Sequence, residues 1–205
     1  MQYGHFFQRL SILCYIVFLS ACSNQEQLSQ DFAVAKKDLQ RATTQEAQRE
    51  VVDRIEKLAN SGSSEAQVLL GYFAVKGQFI EKNDTLAVEM FQRAAKTGNR
   101  DAQYNLGLAY ARGMGITKDL QKAQELFLLA AEKGDIGAQY NLGLMYAAGE
   151  GVTQDYLEAF VWLSHAKQGG HPDAGNILSQ IQLKMSEAEI AKAERRLKRR
   201  SLKSS

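Results

Sequence analysis

Ala102-Gln-Tyr-Asn-Leu-Gly107 recurs letter for letter as Ala138-Gln-Tyr-Asn-Leu-Gly143, 36 positions further on. One period earlier the chain reads Ala66-Gln-Val-Leu-Leu-Gly71, and one period later Ala174 begins a fainter echo. A fixed period of this length is the signature of a solenoid, in which each unit buries its apolar flank against the next. A chain of that kind usually holds a partner rather than transforming a substrate.

Each unit resolves into two helices. In the best-formed unit the first helix is expected from about Arg100 to Ala111, with Ala102, Leu106, Ala109 and Tyr110 at spacings of three and four on one face. Gly107 costs about 1 kcal/mol of helix propensity relative to Ala, so its return as Gly71 and Gly143 predicts close approach of a neighbouring helix. Gly113-Met-Gly115 then ends the helix, because glycine enters the left-handed region cheaply. The second helix starts after Asp119, whose carboxylate suits free amides at a helix start, with Asn83 and Asp155 in the same role. Glu158 stands at capping-box distance from Asp155. The buried face is expected to be Ala123, Phe127, Ala130 and Ala131, matched by Ala87, Phe91, Ala94, Ala95 and by Ala159, Leu163, Ala166. Gly98, Gly134 and Gly170 close these helices; Asn99, Asp135 and His171 are the expected caps of the next ones, with Pro172 in the last first turn.

These residues resemble the Sel-1-like repeat, a relative of the tetratricopeptide repeat. The resemblance rests on Ala-Gln-Tyr-Asn-Leu-Gly, the Gly-Met-Gly loop, the following Asp, the Ala-x-x-x-Phe step and the Ala-Ala-x-x-Gly close. It implies an all-α fold, a right-handed α-solenoid of antiparallel helix pairs, with full repeats at about 63–98, 99–134 and 135–170 and half-repeats at either end. The first unit departs most: Phe79 replaces the second loop glycine and Ala74 stands where Tyr110 and Tyr146 stand, so a loop of different shape is expected.

The flanks read as caps. Gln45 to Asn60 matches a lone second helix, opened by a capping box of Thr43 and Glu46. Gln25 to Arg41 carries a weak helical pattern of Phe32, Val34 and Leu39. Ala174 to Lys184 is a final first helix, and Ser186-Glu-Ala-Glu189 opens a capping helix that runs into a basic tail. The expected organisation is a targeting segment over 1–21, a linker over 22–43, the solenoid over 44–185, and the capping helix and tail over 186–205.

The first residues form an address. A weakly positive start precedes the apolar run Leu10 to Leu19, about half of the roughly twenty residues a bilayer-spanning helix needs. Leu19-Ser20-Ala21-Cys22 follows, and a Cys after Leu-Ser-Ala resembles a bacterial lipobox. That resemblance implies a signal peptide ending at Ala21, diacylglycerol (with a further acyl chain, such as palmitate) on Cys22, and membrane attachment through the lipid. In Gram-negative lipoproteins an Asp after the Cys favours inner-membrane retention; Ser23 and Asn24 stand there instead, which implies the outer membrane, facing the periplasm. Cys14 would leave with the signal and Cys22 would carry lipid, leaving no thiol for a disulfide, a zinc site or a nucleophile. From Ser23 to Ala191 there are 17 Lys and Arg against 22 Asp and Glu, whereas Lys192 to Ser205 holds 7 against 1. A mildly acidic exported body with a basic tail is not expected to bind nucleic acid.

Chemistry-bearing motifs are sparse. Ser164-His-Ala-Lys167 has the S-x-x-K spacing of serine acyl enzymes, but the companion motifs are absent and the four residues fall mid-helix. His165 and His171 have no carboxylate cluster at ligand spacing, so no metal or other cofactor is expected. Gln103, Tyr104, Asn105, Gln139, Tyr140 and Asn141 lie away from the most apolar edge of the first helices, where they either grip a peptide or protein or, for the tyrosines, pack between repeats. Arg195, Arg196, Lys198, Arg199, Arg200 and Lys203 either meet an anionic surface or form a solvated, frayed helix end. The expected function is a non-catalytic scaffold or adaptor for another envelope protein or peptide. The alternatives are an accessory protein of cell-wall or envelope-polysaccharide processes that binds glycan, and a hydrolase using Ser164.

Overall fold

The computed structural model describes residues 23–201, so Cys14, Cys22 and Lys203 lie outside the described residues. Every regular element among the described residues is an α-helix, and the fold is an all-α solenoid of helix pairs. The chain divides into two compact units, Met1–Lys82 and Asn83–Ser205.

The first unit contains α1 (23–41), α2 (Gln45–Asn60) and α3 (Ser64–Lys76). Leu28 and Ala35 are buried in α1 and Phe32 and Leu39 are half-buried, a stripe at spacings of four and three. Val34 lies off that stripe and is 55% exposed, contrary to the pattern read from the sequence. An Arg54–Asp38 ion pair of 2.7 Å joins α2 to α1. The cap of α2 is Thr44 rather than Thr43: its Oγ1 accepts from the Ala47 N–H at 3.2 Å, and the expected reciprocal bond from Glu46 does not form. A one-residue shift suffices, since both threonines carry the same acceptor.

The loop after α3 corrects a second expectation. Phe79 adopts φ 67, the value of Gly115 (67) and close to that of Gly151 (73), so the left-handed geometry is retained without glycine. An L side chain there costs on the order of 1–2 kcal/mol. The edge-on contact of the Phe79 ring with Phe73, centroids 4.9 Å apart at 68°, offsets part of it.

The second unit contains α4 (Asp84–Lys96), α5 (Arg100–Arg112), α6 (Leu120–Glu132), α7 (Ile136–Ala148), α8 (Tyr156–Gln168), α9 (Ala174–Gln182) and α10 (Glu187–Ser201). Each helix from α4 to α8 packs on its successor, and α10 folds back onto α8. The polar ends are handled alike in each repeat. Asn83, Asp119 and Asp155 cap α4, α6 and α8, accepting from Leu86, Lys122 and Glu158 N–H groups. The N–H groups of Asp119 and Asp155 donate to the carbonyls of Tyr110 and Tyr146, which the ends of α5 and α7 would otherwise leave unpaired.

At the opposite turns Gly98, Gly134 and Gly170 take φ of 82, 81 and 87, and the next N–H (Asn99, Asp135, His171) reaches back to Ala94, Ala130 or Ala166, completing a Schellman closure. Asn99 and Asp135 then cap α5 and α7 as expected. His171 does not cap α9. Its Nδ1 accepts from Asp173 N–H at 3.3 Å, the turn at Pro172 intervenes, and α9 starts only at Ala174 without a side-chain cap. Ser186 and Glu189 form the full capping box of α10: Ser186 N–H donates to Glu189 Oε2 at 2.8 Å and Glu189 N–H to Ser186 Oγ at 3.3 Å.

The core is made by large residues of the second helices entering notches in the first. A Cβ on Gly107 would stand 2.7 Å from Phe127 Cε1, and one on Gly143 would stand 2.6 Å from Leu163 Cγ. Phe127 is 2% exposed and Leu163 fully buried. Replacing Gly107 with Ala gains about 1 kcal/mol of helix propensity, but the overpacking against Phe127 costs about 1–3 kcal/mol. The Gly107→Ala variant is therefore expected to unfold at lower urea concentration than the wild type. A midpoint equal to or above the wild type would mean that the notch is not filled as described.

Candidate functional site

The amides singled out in the sequence serve the solenoid internally. Gln103 is 4% exposed and its Oε1 accepts from Lys133 Nζ at 3.2 Å. Gln139 Nε2 donates to the Ala131 carbonyl at 3.2 Å, and Gln67 makes the same bond to Ala59 at 2.9 Å. This position therefore closes the carbonyl end of the preceding helix, which satisfies an acceptor the helix leaves open. Asn105 and Asn141 donate to the carbonyls four residues back, Asp101 at 2.7 Å and Gly137 at 2.9 Å.

The tyrosines pack between repeats. A Cβ on Gly137 would meet the Tyr104 hydroxyl at 2.8 Å, and the Tyr104 ring lies 6.0 Å from that of Phe127. Tyr140 stacks on His171, with centroids 3.9 Å apart and planes within 14°. Burial, reinforced by Asp173, pushes the Tyr140 phenol above its ordinary pKa. Each ring thus spans from one first helix to the start of the next unit.

A groove of about 590 Å³ lies on the side of the second unit formed by α5, α7 and α9. Leu108 and Ala111 of α5, Leu144 and Ala148 of α7, and Ile177 of α9 line it, with Arg112 and Lys184 among its charged members. Leu108, Leu144 and Ile177 are only half-buried. Of the six residues singled out in the sequence, only Asn141 borders this groove. The signal that locates it is the register of Leu108 with Leu144 and of Ala111 with Ala147, one period apart.

A second concavity, about 840 Å³, is bordered by the turn from α6 to α7, by α8 and by α10. Here the described part of the basic tail, up to Ser201, is helical and engaged through Arg196 and Arg200. Arg196 and Arg200 share the carboxylate of Glu158, at 2.6 and 3.4 Å, and the Arg200 guanidinium lies 4.0 Å above the Trp162 ring. Glu158 therefore does not reach back to the Asp155 N–H as a capping box requires; that N–H is taken by Tyr146. Ala193 of α10 is fully buried. The docking signal in the sequence is Ile190, Ala193 and Leu197 at spacings of three and four.

Ser164 is 5% exposed, so its hydroxyl is not presented to a substrate, whereas Lys167 is exposed. His165 faces Trp162, with ring centroids 6.1 Å apart, and its Nε2 is buried without a hydrogen-bond partner. His171 stacks on Tyr140, away from that pair. Among the described residues no group of three or more His, Cys, Asp or Glu is arranged to hold a metal ion.

Residues 64–99, 100–135 and 136–171 each match the Sel1 repeat family, and the chain belongs to it. The fold is similar to that of a Sel1 repeat protein from Oxalobacter formigenes, at 25% identity and TM-score 0.68, covering 84% of this chain and 73% of that one. It is also similar to a protective antigen of uropathogenic Escherichia coli with a Sel1-like-repeat fold, at 25% identity and TM-score 0.58. That match covers 90% of this chain and 47% of the antigen, so this chain spans about half its length. No curated protein matches the chain. Repeats of this family generally act as scaffolds for protein–protein interaction.

His165 links the second concavity to pH. Burial first, and the Arg200 charge second, hold its pKa below the ordinary 6.5. The unfolded chain takes up this proton near 6.5, while the folded chain keeps the imidazole neutral to lower pH. The stability tied to neutral His165 is complete above that value and is lost as pH falls from it towards the folded pKa. His165→Phe is expected to lose less urea stability than the wild type between about pH 7.5 and about pH 5.5. An equal loss in both proteins would remove His165 from this account.

Proposed function

We propose that the protein is a non-catalytic scaffold of the bacterial envelope, holding a protein or peptide partner in the groove of α5, α7 and α9. The observation that carries this reading is the row of half-buried apolar side chains, Leu108, Leu144 and Ile177, contributed in register by three successive first helices. These side chains sit on helices whose spacing is fixed by buried Gly and Ala contacts. A preformed groove of this kind binds with little ordering cost, and affinity comes from many modest apolar contacts. Arg112 and Lys184 supply polar contacts beside the apolar row.

The lipid anchor and the outer membrane belong to the same proposal. Their support is the apolar run Leu10 to Leu19 followed by Leu19-Ser20-Ala21-Cys22, with Ser23 and Asn24 next. No described helix is long and apolar enough to cross a membrane. Each buried methylene of an acyl chain contributes about 0.8 kcal/mol, and stable anchoring takes more than one chain. The glycan reading loses its main support, because the rings of Tyr104 and Tyr140, the surfaces on which a sugar would stack, lie against Gly137 and His171.

A photo-cross-linking residue placed at Arg112 or Ala148, both exposed members of the groove, is expected to trap a discrete protein in intact cells. The same residue at the exposed Glu125 of α6 is expected to trap none. Adducts from Glu125 alone would overturn the groove as the docking face. Cys22→Ser is expected to abolish incorporation of labelled palmitate and to move the protein from the membrane to the soluble fraction. Continued labelling of that variant would remove Cys22 as the anchor.

A further inference from the structure

The charges around the second concavity do not balance. Arg196, Arg199, Arg200 and Lys133 border it, against the single bordering carboxylate of Glu132. Glu158 is only 12% exposed and is shared by Arg196 and Arg200, so one half-buried anion serves two guanidinium groups. Arg199 has no ion-pair partner among the described residues and is exposed. The Lys133 ammonium is met by neutral oxygens, the Gly98 carbonyl and Gln103 Oε1. Burial, and then the Arg200 charge, lower the His165 pKa and so disfavour a further positive charge there. Four cations therefore face two carboxylates in a cleft on a body that is otherwise mildly acidic.

The cations are also held in place. The Arg200 guanidinium lies 4.0 Å over the face of Trp162, a ring that is itself 2% exposed. Glu158 fixes both Arg196 and Arg200 through one carboxylate, and the capping box of Ser186 and Glu189 fixes the start of α10. Lys133 stands at the end of α6, whereas the three arginines stand on α10, with Trp162 and His165 of α8 between them. Positive charge thus comes from two separate elements, the end of α6 and α10, that border an open cleft of about 840 Å³. A linear chain of carboxylates fits a recess bordered by cations from two elements, and arginine's planar fork matches carboxylate geometry.

We propose that this cleft is a second binding surface, which takes an acidic peptide segment rich in Asp and Glu. The proposal rests on the reading of the chain as a scaffold for protein partners, but not on the groove of α5, α7 and α9. The cleft contributes orientation and a fast encounter through charge complementarity.

The test uses the full-length protein in nonionic detergent and a fluorescein-labelled peptide of alternating Glu and Asp, read by anisotropy. Its Gln/Asn counterpart is expected to bind at least tenfold more weakly, and added salt is expected to weaken the acidic peptide. Arg199→Glu is expected to reduce affinity tenfold or more. Arg195→Glu, the same charge change at an exposed position of α10 outside the cleft, is expected to change it by about threefold or less. Circular dichroism confirms that both variants are folded. Equal binding of the two peptides, or equal losses in the two variants, would overturn the proposal. Inorganic phosphate or glycerophosphoglycerol competing better than unlabelled acidic peptide would also overturn it, in favour of a phosphate or a lipid headgroup. Leu144→Glu separates the two surfaces: it is expected to abolish cross-linking from Ala148 while leaving the acidic peptide bound. Absence of adducts from Arg112 and Ala148 in the wild-type protein, with the acidic peptide still bound, would count against the groove and leave the cleft standing.

Discussion

The second unit depends on one steric relation, met in two of its repeats: a large side chain of the second helix fills the place where a glycine of the paired first helix has no Cβ. Phe127 does this at Gly107 and Leu163 at Gly143. The contact sets how close the two helices lie, and so which residues reach the core. Ala102, Ala123, Ala130 and Ala138 are buried to 0% because at that separation only small side chains fit between helices. The same separation leaves Leu108 and Leu144, on the other side of the first helices, half-buried and in line with each other. The groove is thus a by-product of the notch.

Stacking transmits this relation from unit to unit only because each loop presents nearly the same geometry. Gly115 and Gly151 pass so near the preceding second helix that a Cβ would stand 2.2 Å from the Asp84 carbonyl oxygen or 2.7 Å from that of Leu120. Positive φ and close backbone approach coincide there, and no side chain meets both demands. The first loop keeps the positive φ at Phe79 and spends some stability on it, with Phe73 as the ring's neighbour. The array then changes character at its end. His171 stacks on Tyr140 rather than capping α9, and Glu158 turns from its own helix start to the arginines of α10. Both changes serve closure: a terminal unit has no successor, so the capping helix must cover the apolar flank of α8.

What was legible in the sequence follows from the range of the interactions concerned. Helix starts at Asn83, Asp119, Asp155, Asn99 and Asp135 depend on atoms three residues apart, and their residues announce them. The notch at Gly107 was legible because a glycine inside a helix is costly unless something occupies its space. Adjacent residues of equal chemistry, such as Thr43 and Thr44, are not distinguished by local pattern. Partners far along the chain are harder still. Arg200 and Glu158 are 42 positions apart, and nothing within one helical period of either names the other. The roles of Gln139 and Tyr104 were likewise hidden. Periodicity assigns a residue to a helix face, but whether that face meets water, the previous turn or the next repeat depends on a third element.

If both proposed surfaces bind partners, the two concavities of the second unit would divide the work of recognition along physical lines. The groove of α5, α7 and α9 is bordered mainly by Leu, Ala and Ile, so occupancy there removes apolar surface from water at about 25 cal/mol per Å² and is little affected by salt. The cleft at α10 is bordered by four cations and contributes mostly through a screened field. A partner engaging both would gain by effective concentration, since the first contact holds the second segment nearby without any new ordering of the scaffold. Neither concavity is large, and the repeats present are few; joining two modest sites of different chemistry is the physical route by which a short solenoid reaches selectivity that its length alone would not supply.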